Sequence, residues 1–300
     1  MKKILRLFYK KSEEKLSGHG LDKYYFIRAS SKFIKSQLKT NFVQIDGHKM
    51  FLDPLDSLRL SINETYEEFE TDIVKKIIHK DDVVIDVGAN IGYYTLIFSR
   101  LVGNKGKVFA FEPEPNNFNL LQKNVKINGY ENVVIINKAV SNKMEKIKLY
   151  IDDENQGGHT LSPTKTKSKS IQIEAVTLDN YFKNDSNKIK FIKMDIEGSE
   201  ARTMDGMKNM LNNNNELQMM VEFNPYLLNK SGSDPEKYLY SFMKFDYKIF
   251  EMDKKNRKVL NAEIPHLLTK YTPENQKHTN LLFLKHDIVN KINGWIFVEL

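Results

Sequence analysis

The segment that most constrains this chain is VVIDVGANIGYYT, residues 83–95. Three β-branched apolar residues, Val83, Val84 and Ile85, run into an acid, Asp86, and then into Gly88, Asn90 and Gly92. An unbroken apolar run of this kind reads as a strand buried on both faces, and such strands belong to parallel sheets covered by helices. Glycines at 88 and 92 permit a tight turn and let a ligand approach bare backbone. The helix that follows offers free N–H groups at its start. Strand, loop and helix in this order define a nucleotide-type site at the carboxyl end of a parallel strand.

The alternation continues along the chain. Ile73, Val74, Ile77 and Ile78 form a helical stripe ahead of the first strand. Strands are predicted over residues 107–111, 132–137, 189–194, 217–223, 247–252 and 280–284, and helices over 115–128, 199–211 and 235–245. Between residues 146 and 176, short polar-flanked strands (147–151 and 171–176) replace a helix, and the polar loop TKTKSKS lies between them. The expected fold class is α/β, a mostly parallel sheet with helices on both faces. Upstream, residues 1–38 read as mostly helical with a break near Gly18 and Gly20, and 42–52 as a hairpin turning at Asp46-Gly47. Residues 1–60 are therefore expected to form a helical and hairpin extension, and residues 61–300 the main domain.

Composition removes several chemistries. With no cysteine among 300 residues, disulfides, thiolate zinc sites, iron–sulfur clusters and Cys nucleophiles are excluded. No apolar run approaches the ~20 residues of a membrane span. The net charge of +7 is compatible with nucleic acid, an anionic membrane or a phosphorylated substrate. Its lysines are spread along the whole chain, however, and read as a solvated surface. In the N-terminal MKKILRLFYKKSEEKL, Arg6 interrupts the apolar stretch and no small-residue cleavage site follows. No secretory signal is expected, and the default address is cytoplasmic. Lys2, Lys3, Arg6, Lys10 and Lys11 beside Ile4, Leu5, Leu7 and Phe8 are suited to rest on anionic lipid at the inner membrane face. A surface helix packed on its own domain is the preferred reading.

A pyrophosphate binder needs G-x-G-x-x-G and no competing anion at the strand end. Here the spacing differs, and Asp86 would repel a phosphate. A carboxylate there suits a ligand that carries a cation. Glu112 ends the next strand about 20 residues beyond Gly92, where an acid grips ribose hydroxyls. A ribose with a cationic neighbour points to S-adenosylmethionine (SAM). Alone, Asp86 would read equally well as a helix N-cap; Gly88, Gly92 and Glu112 in register favour the ligand.

VVIDVGANIGYYT, GKVFAFEPEPNNFNLL, TLDNYF and IKFIKMDIEGSE together resemble the FkbM family of SAM-dependent methyltransferases, over residues 66–284. The resemblance implies a class I methyltransferase Rossmann-like fold whose seven-stranded sheet has an antiparallel last strand. It also implies O-methylation of hydroxyls on glycans or other metabolites. Position by position, it implies Asp86, Gly88, Asn90 and Gly92 as the SAM loop and Glu112 as the ribose ligand. Ala139 and Ser141 would lie beside the adenine, and Glu67, in YEEFET, matches an acid the family carries before its first strand.

Methyl transfer to an alcohol needs the reacting atoms held ~3–3.5 Å apart and a group to take the hydroxyl proton. Asp195 and Glu197, in KMDIEGSE, are the first candidates for base or for orienting the acceptor. Glu197 and Glu200 lie three apart at a helix start and are read as facing one way, or as complementing the helix dipole. His159, in QGGHTLS, is the second candidate, because histidine titrates near neutral pH; the alternative is an incidental loop histidine. Glu222 extends the carboxylate cluster, but no tight ligand spacing supports a metal and none is assigned.

The expected function is SAM-dependent methylation of a hydroxyl oxygen on a saccharide, glycan or related metabolite, with that acceptor as the partner and no nucleic acid. The alternatives are a nucleic-acid N-methyltransferase, prompted by charge and Asn224-Pro225-Tyr226, and a non-catalytic SAM-binding protein at a membrane surface. Amine methylators carry Asn/Asp-Pro-Pro-Tyr after the fourth strand, whereas this motif lacks one Pro and follows the fifth. The acceptor pocket is expected from residues 146–170 and the C-terminal half.

Overall fold

A computed structural model describes residues 38–63, 65–152, 156–162, 169–185 and 187–285, with the backbone of 297–298. The helices expected within residues 1–37, the basic segment suited to lipid and most of the TKTKSKS loop lie outside the described residues.

The chain enters as a hairpin, β1 (Phe42–Ile45) and β2 (His48–Phe51), turning at Asp46 and Gly47, both with positive φ. Helix α1 (Glu68–Ile77) then leads to β3 (Val83–Val87), α2 (Tyr93–Val102), β4 (Lys107–Phe111), α3 (Pro115–Ile127) and β5 (Val133–Ile136). After an inserted unit come β9 (Ile189–Met194), α5 (Glu200–Asp205), α6 (Lys208–Asn213), β10 (Gln218–Phe223), α7 (Pro225–Lys230) and α8 (Pro235–Met243). The chain closes with β11 (Tyr247–Asp253), β12 (Lys258–Asn261), α9 (Ile264–Lys270), β13 (Thr279–Lys285) and β14 (Phe297–Val298). The inserted unit is β6 (Ala139–Val140), β7 (Glu145–Tyr150), β8 (Ser170–Val176) and the one-turn α4 (Leu178–Tyr181).

Seven strands make the expected core sheet in the order β5-β4-β3-β9-β10-β13-β11. All are parallel except β13, which runs antiparallel to both its neighbours. The sheet is wider than the seven strands expected: β12 pairs antiparallel with β11, and β14 pairs parallel with β12, giving nine. Without them the long β11 would be an edge, with a row of unpaired backbone groups exposed.

Alternating side chains divide the core between the two faces. Val84, Phe191, Met220 and Leu282 pack with α1, α2 and the hairpin residues Ile45 and Met50. Ile85, Ile192, Val221 and Phe283 pack with Leu239 and Phe242 of α8. The hairpin is stitched to α3 by two asparagines. Asn124 accepts from the Phe51 N–H at 2.7 Å and donates to its carbonyl at 3.0 Å; Asn128 does the same to Lys49 at 3.0 and 2.8 Å.

The single helix expected over 199–211 is broken into α5 and α6 at Gly206. A Cβ there would lie 2.1 Å from the Ser141 carbonyl oxygen, so only glycine lets the chain pass. Among the described residues no helix is long and apolar enough to cross a membrane.

Candidate active site

A cleft of about 350 Å³ opens at the carboxyl ends of β3, β4, β9 and β10. Of the residues singled out from sequence, Glu67, Asp86, Gly88, Asn90, Glu112, Ala139, His159, Asp195 and Glu197 line it. Gly92 and Ser141 do not. Gly92 caps α2 with φ 97°, and a Cβ there would stand 2.7 Å from Leu121 Cδ1, so it serves the packing of α2 on α3. Ser141 is buried behind β6, its N–H bonded to the Val176 carbonyl at 2.8 Å. Glu197 and Glu200 do not face one way: Glu197 is in the loop after β9, with φ 53°, and only Glu200 is helical. Glu200 turns inward, its Oε1 accepting from the N–H groups of Ile196 and Gly198 at 3.2 Å each.

The loop after β3 owes its shape to two residues in the left-handed region. Gly88 has φ 81°, and a Cβ on it would lie 2.0 Å from the Asp195 carbonyl oxygen, so the ends of β3 and β9 meet only because residue 88 is bare. Asn90 has φ 51°, and its Oδ1 accepts from the next N–H, that of Ile91, at 2.7 Å. This local bond is what lets asparagine take a glycine-like turn. The Asn90 N–H in turn donates to Glu112 Oε2 at 2.8 Å, and the Glu114 N–H to Glu112 Oε1 at 2.9 Å. Both oxygens of Glu112 are thus aimed by backbone, and each keeps a lone pair for a further donor. Burial pushes the Glu112 carboxyl up to about 8, against those two bonds.

Asp86 is the most demanding group in the cleft. Thr95 Oγ1 donates to its Oδ2 at 2.6 Å, while Oδ1 is buried and has no hydrogen-bond partner among the described residues. Burial raises its pKa, and Lys193 opposes that rise. An orphaned buried acceptor costs on the order of 1–3 kcal/mol, so Asp86 is fitted to a ligand that brings positive charge or a donor. A sulfonium and ammonium beside a ribose, as in SAM, match Asp86 and Glu112 in turn.

Lys193 did not stand out in the sequence, although a lysine inside the apolar strand IKFIKM was the available signal. It is paired in register with Asp86 across β3 and β9. Its Nζ lies 3.2 Å from Asp195 Oδ2 and 4.9 Å from the centre of the Tyr94 ring. Burial disfavours its charge, but Asp195, Asp86 and Glu67 outweigh burial and hold its pKa above the ordinary lysine value. Asn280, on β13, was likewise missed. Its Nδ2 donates to Glu67 Oε1 at 2.8 Å and Glu70 Oε1 at 3.2 Å. Tyr94 donates to Glu67 Oε2 at 2.9 Å, and Lys254 Nζ reaches Glu70 Oε1 at 2.5 Å. Glu67 has φ 44°, and burial raises its carboxyl pKa.

The inserted unit forms the opposite wall. His159 Nδ1 accepts from the Asp152 N–H at 3.0 Å, which sets the ring's orientation. Thr160 Oγ1 donates to the Glu197 carbonyl at 2.9 Å, Asn117 donates to the Gln156 carbonyl at 2.8 Å, and the Gln156 N–H donates to Ser57 Oγ at 2.9 Å. Glu222, the penultimate residue of β10, follows the last β9–β10 register pair, Val221 with Met194, and its Oε1 lies 3.8 Å from His278 Nε2. Six carboxyl groups (Glu67, Asp86, Glu112, Asp195, Glu197 and Glu222) therefore line the cleft, against Lys138, Lys193 and two histidines. Such a cleft concentrates cations. Among the described residues no group of three His, Asp or Glu is disposed to hold a metal ion.

A mostly parallel sheet with one antiparallel strand inside its far edge, and an acidic cleft at the carboxyl ends of its strands, define the class I SAM-dependent methyltransferase fold. Residues 86–249 match the family model described as the methyltransferase FkbM domain, and the chain belongs to that family. Among curated proteins it is similar to the hexuronic acid methyltransferase AglP of Haloferax volcanii, 29% identical over 147 residues, covering 47% of this chain and 58% of AglP. It is also similar to methyltransferase 1 of Beauveria bassiana, 21% identical over 147 residues, covering 42% of this chain and 59% of the relative. The chain thus spans under two thirds of the length of these relatives. The crystal structure of methyltransferase FkbM from Methylobacillus flagellatus superposes with a TM-score of 0.42 at 18% identity, over 68% of this chain and 44% of that one.

Proposed function

We propose that this enzyme methylates a hydroxyl oxygen of a saccharide, glycan or related metabolite. The observation that carries the reading is the contact of Gly88 with the Asp195 carbonyl. It joins the loop that fits the cofactor to the strand ends that carry Asp195 and Glu222. An acceptor lodged there meets carboxyl groups able to bond a hydroxyl. The hexuronic acid named for AglP, a sugar, supports the substrate class. The surplus of carboxylates counts against nucleic acid, whose phosphates this cleft would repel.

SAM, when bound, supplies an electrophilic methyl group on a sulfonium. In this reading Asp86 meets its positive charge, Asn90 and Glu112 hold the ribose, and Gly88 gives it room. Ala139 lines the adenine side, and Gly92 and Ser141 act through packing alone. Glu67 is held by Tyr94 and Asn280 and keeps the wall of the cleft negative. Asp195 is steadied by Lys193 and orients the acceptor, while Glu197 and His159 border the acceptor from the loop side. Residues 61–300 form the catalytic unit, with Ser57 and Leu58 completing its cleft wall.

The test is incubation with methyl-labelled SAM and parallel pools of free glycosides, oligosaccharides, RNA and protein. Alkali-stable label on a sugar is the expected result. Label confined to RNA would refute the assignment.

A further inference from the structure

We propose that Glu222 is the group that takes the acceptor hydroxyl's proton, and that it carries a proton of its own until a cation enters the cleft. This rests on the hydroxyl-methylation reading above and names the base that reading leaves open.

Most carboxyls of the cleft and its rim already have partners. Asp195 is paired at 3.2 Å with the buried Lys193. Glu67 takes bonds from Tyr94 and Asn280, and Glu112 from two backbone N–H groups. Glu200 caps two more N–H groups outside the cleft. Each of these accepts hydrogen bonds or an ion pair that favour its charged form, set against the burial that raises Glu67, Glu112 and Glu200. Glu222 is different. It lines the cleft, its Oε2 is buried, and among the described residues no hydrogen bond reaches either of its oxygens, whereas Asp86, which also has an orphaned oxygen, accepts from Thr95.

Its surroundings decide its charge. From β9 and the loop beyond come Asp195 and Glu197, from α5 Glu200, and from the cap of α1 Glu67, all anionic when ionised. Lys193 is engaged by Asp195, Lys254 by Glu70, and Asn280, opposite Glu222 on β13, gives its amide to Glu67 and Glu70. Among the described residues, the half-exposed His278 is the one group in an ion pair with Glu222, at 3.8 Å. Burial and these like charges push the Glu222 pKa well above the ordinary glutamate value. A cationic ligand in the same cleft reverses the balance, and the proton leaves. The ionised Oε2 is then an acceptor facing the substrate. As the acceptor oxygen bonds to the methyl carbon and the carbon–sulfur pair returns to sulfur, the O–H proton passes to Glu222 and later to solvent.

Titration calorimetry with SAM, in phosphate and in Tris at pH 7, counts the protons exchanged on binding. The expected result is release of close to one proton fewer per SAM by Glu222→Gln than by the wild type, with affinity within about threefold. His278→Gln should release as many protons as the wild type. Release by Glu222→Gln equal to that of the wild type, or a one-proton drop only in His278→Gln, assigns the proton elsewhere and overturns the proposal. SAM binding without proton release overturns it alone; no SAM binding by the wild type would fell the parent reading as well. Should Glu222→Gln fail to fold, infrared difference spectra of the wild type give the same answer. Loss of a protonated-carboxyl band on adding SAM is expected, and its absence refutes. On the acceptor labelled in the assay above, Glu222→Gln should lower kcat on the order of 10²-fold with KM for SAM unchanged. An unchanged kcat would overturn the role as base.

Discussion

Replacing Gly88 by alanine tests the joint on which the cleft depends. Two effects add. The first is backbone strain: φ is +81°, where an L-residue costs about 1–2 kcal/mol. The second is steric, since the new Cβ would sit 2.0 Å from the Asp195 carbonyl oxygen and 3.0 Å from its carbon. Backbone, not a flexible side-chain tip, stands in the way, so the loop or the end of β9 must retreat by about 1 Å to reach even a tight contact of 3.0 Å. That retreat strains the bond from the Asp195 N–H to the Val87 carbonyl, now 3.1 Å, and the bonds that hold Gly88 and Ala89 to the Phe111 carbonyl at 3.0 Å. Each is worth about 1 kcal/mol. A loss of about 3–5 kcal/mol follows, large against the about 5–15 kcal/mol that holds a domain folded. Gly232→Ala is the matched control, because its φ of +82° is the same and nothing lies within 4 Å of the added Cβ. Urea unfolding should show Gly232→Ala losing about 1–2 kcal/mol and Gly88→Ala at least twice as much. SAM affinity, read by calorimetry, should fall more than tenfold in Gly88→Ala alone. Equal midpoints and equal affinities in the two variants would refute the argument that residue 88 must be bare for the strands to meet.

Asp86→Asn and Glu112→Gln should each weaken SAM binding about tenfold to a hundredfold, as loss of a charge-assisted bond of about 1.5–3 kcal/mol requires; calorimetry on folded variants checks this. Burial raises the Glu200 carboxyl from 4.5 to about 7 and the Glu112 carboxyl to about 8. Between the unfolded and folded values the native chain holds the extra protons, so stability should fall as pH rises from about 5 to 8. Glu200→Gln should flatten part of that slope in urea midpoints measured across the range. His48, bonded through Nε2 to the Tyr130 hydroxyl at 2.6 Å, is lowered to about 4, first by burial and then by Arg100. Here the unfolded chain protonates first, so stability should also drop as pH falls from 6.5 toward 4, and His48→Gln should remove that acid-side loss.

Much of the frame was legible in local sequence. Apolar runs at 107–111, 189–194 and 217–223 became β4, β9 and β10 within a residue, and Asp46-Gly47 turned the hairpin as such pairs do. Less legible were the short elements whose pattern is weak: α7, β12 and α9 were not foreseen. One helix was expected where Gly206 splits two, because the Ser141 carbonyl that demands glycine there is distant in sequence.

What the sequence determined by itself was what depends on neighbours along the chain. It set the strand–glycine–helix turn at residues 83–95, the acid at the end of the second strand, the class of fold and, through both, the cofactor. What only the tertiary structure decided was which charges oppose one another. Lys193 faces Asp86 across two strands, Asn280 spans from β13 to Glu67 and Glu70, Glu200 turns away from the cleft, and Glu222 is left with a buried oxygen and like-charged neighbours. A carboxylate's chemistry depends on burial and on the charges within a few ångströms, and residues that close in space were brought there by sheet register, not by spacing along the chain.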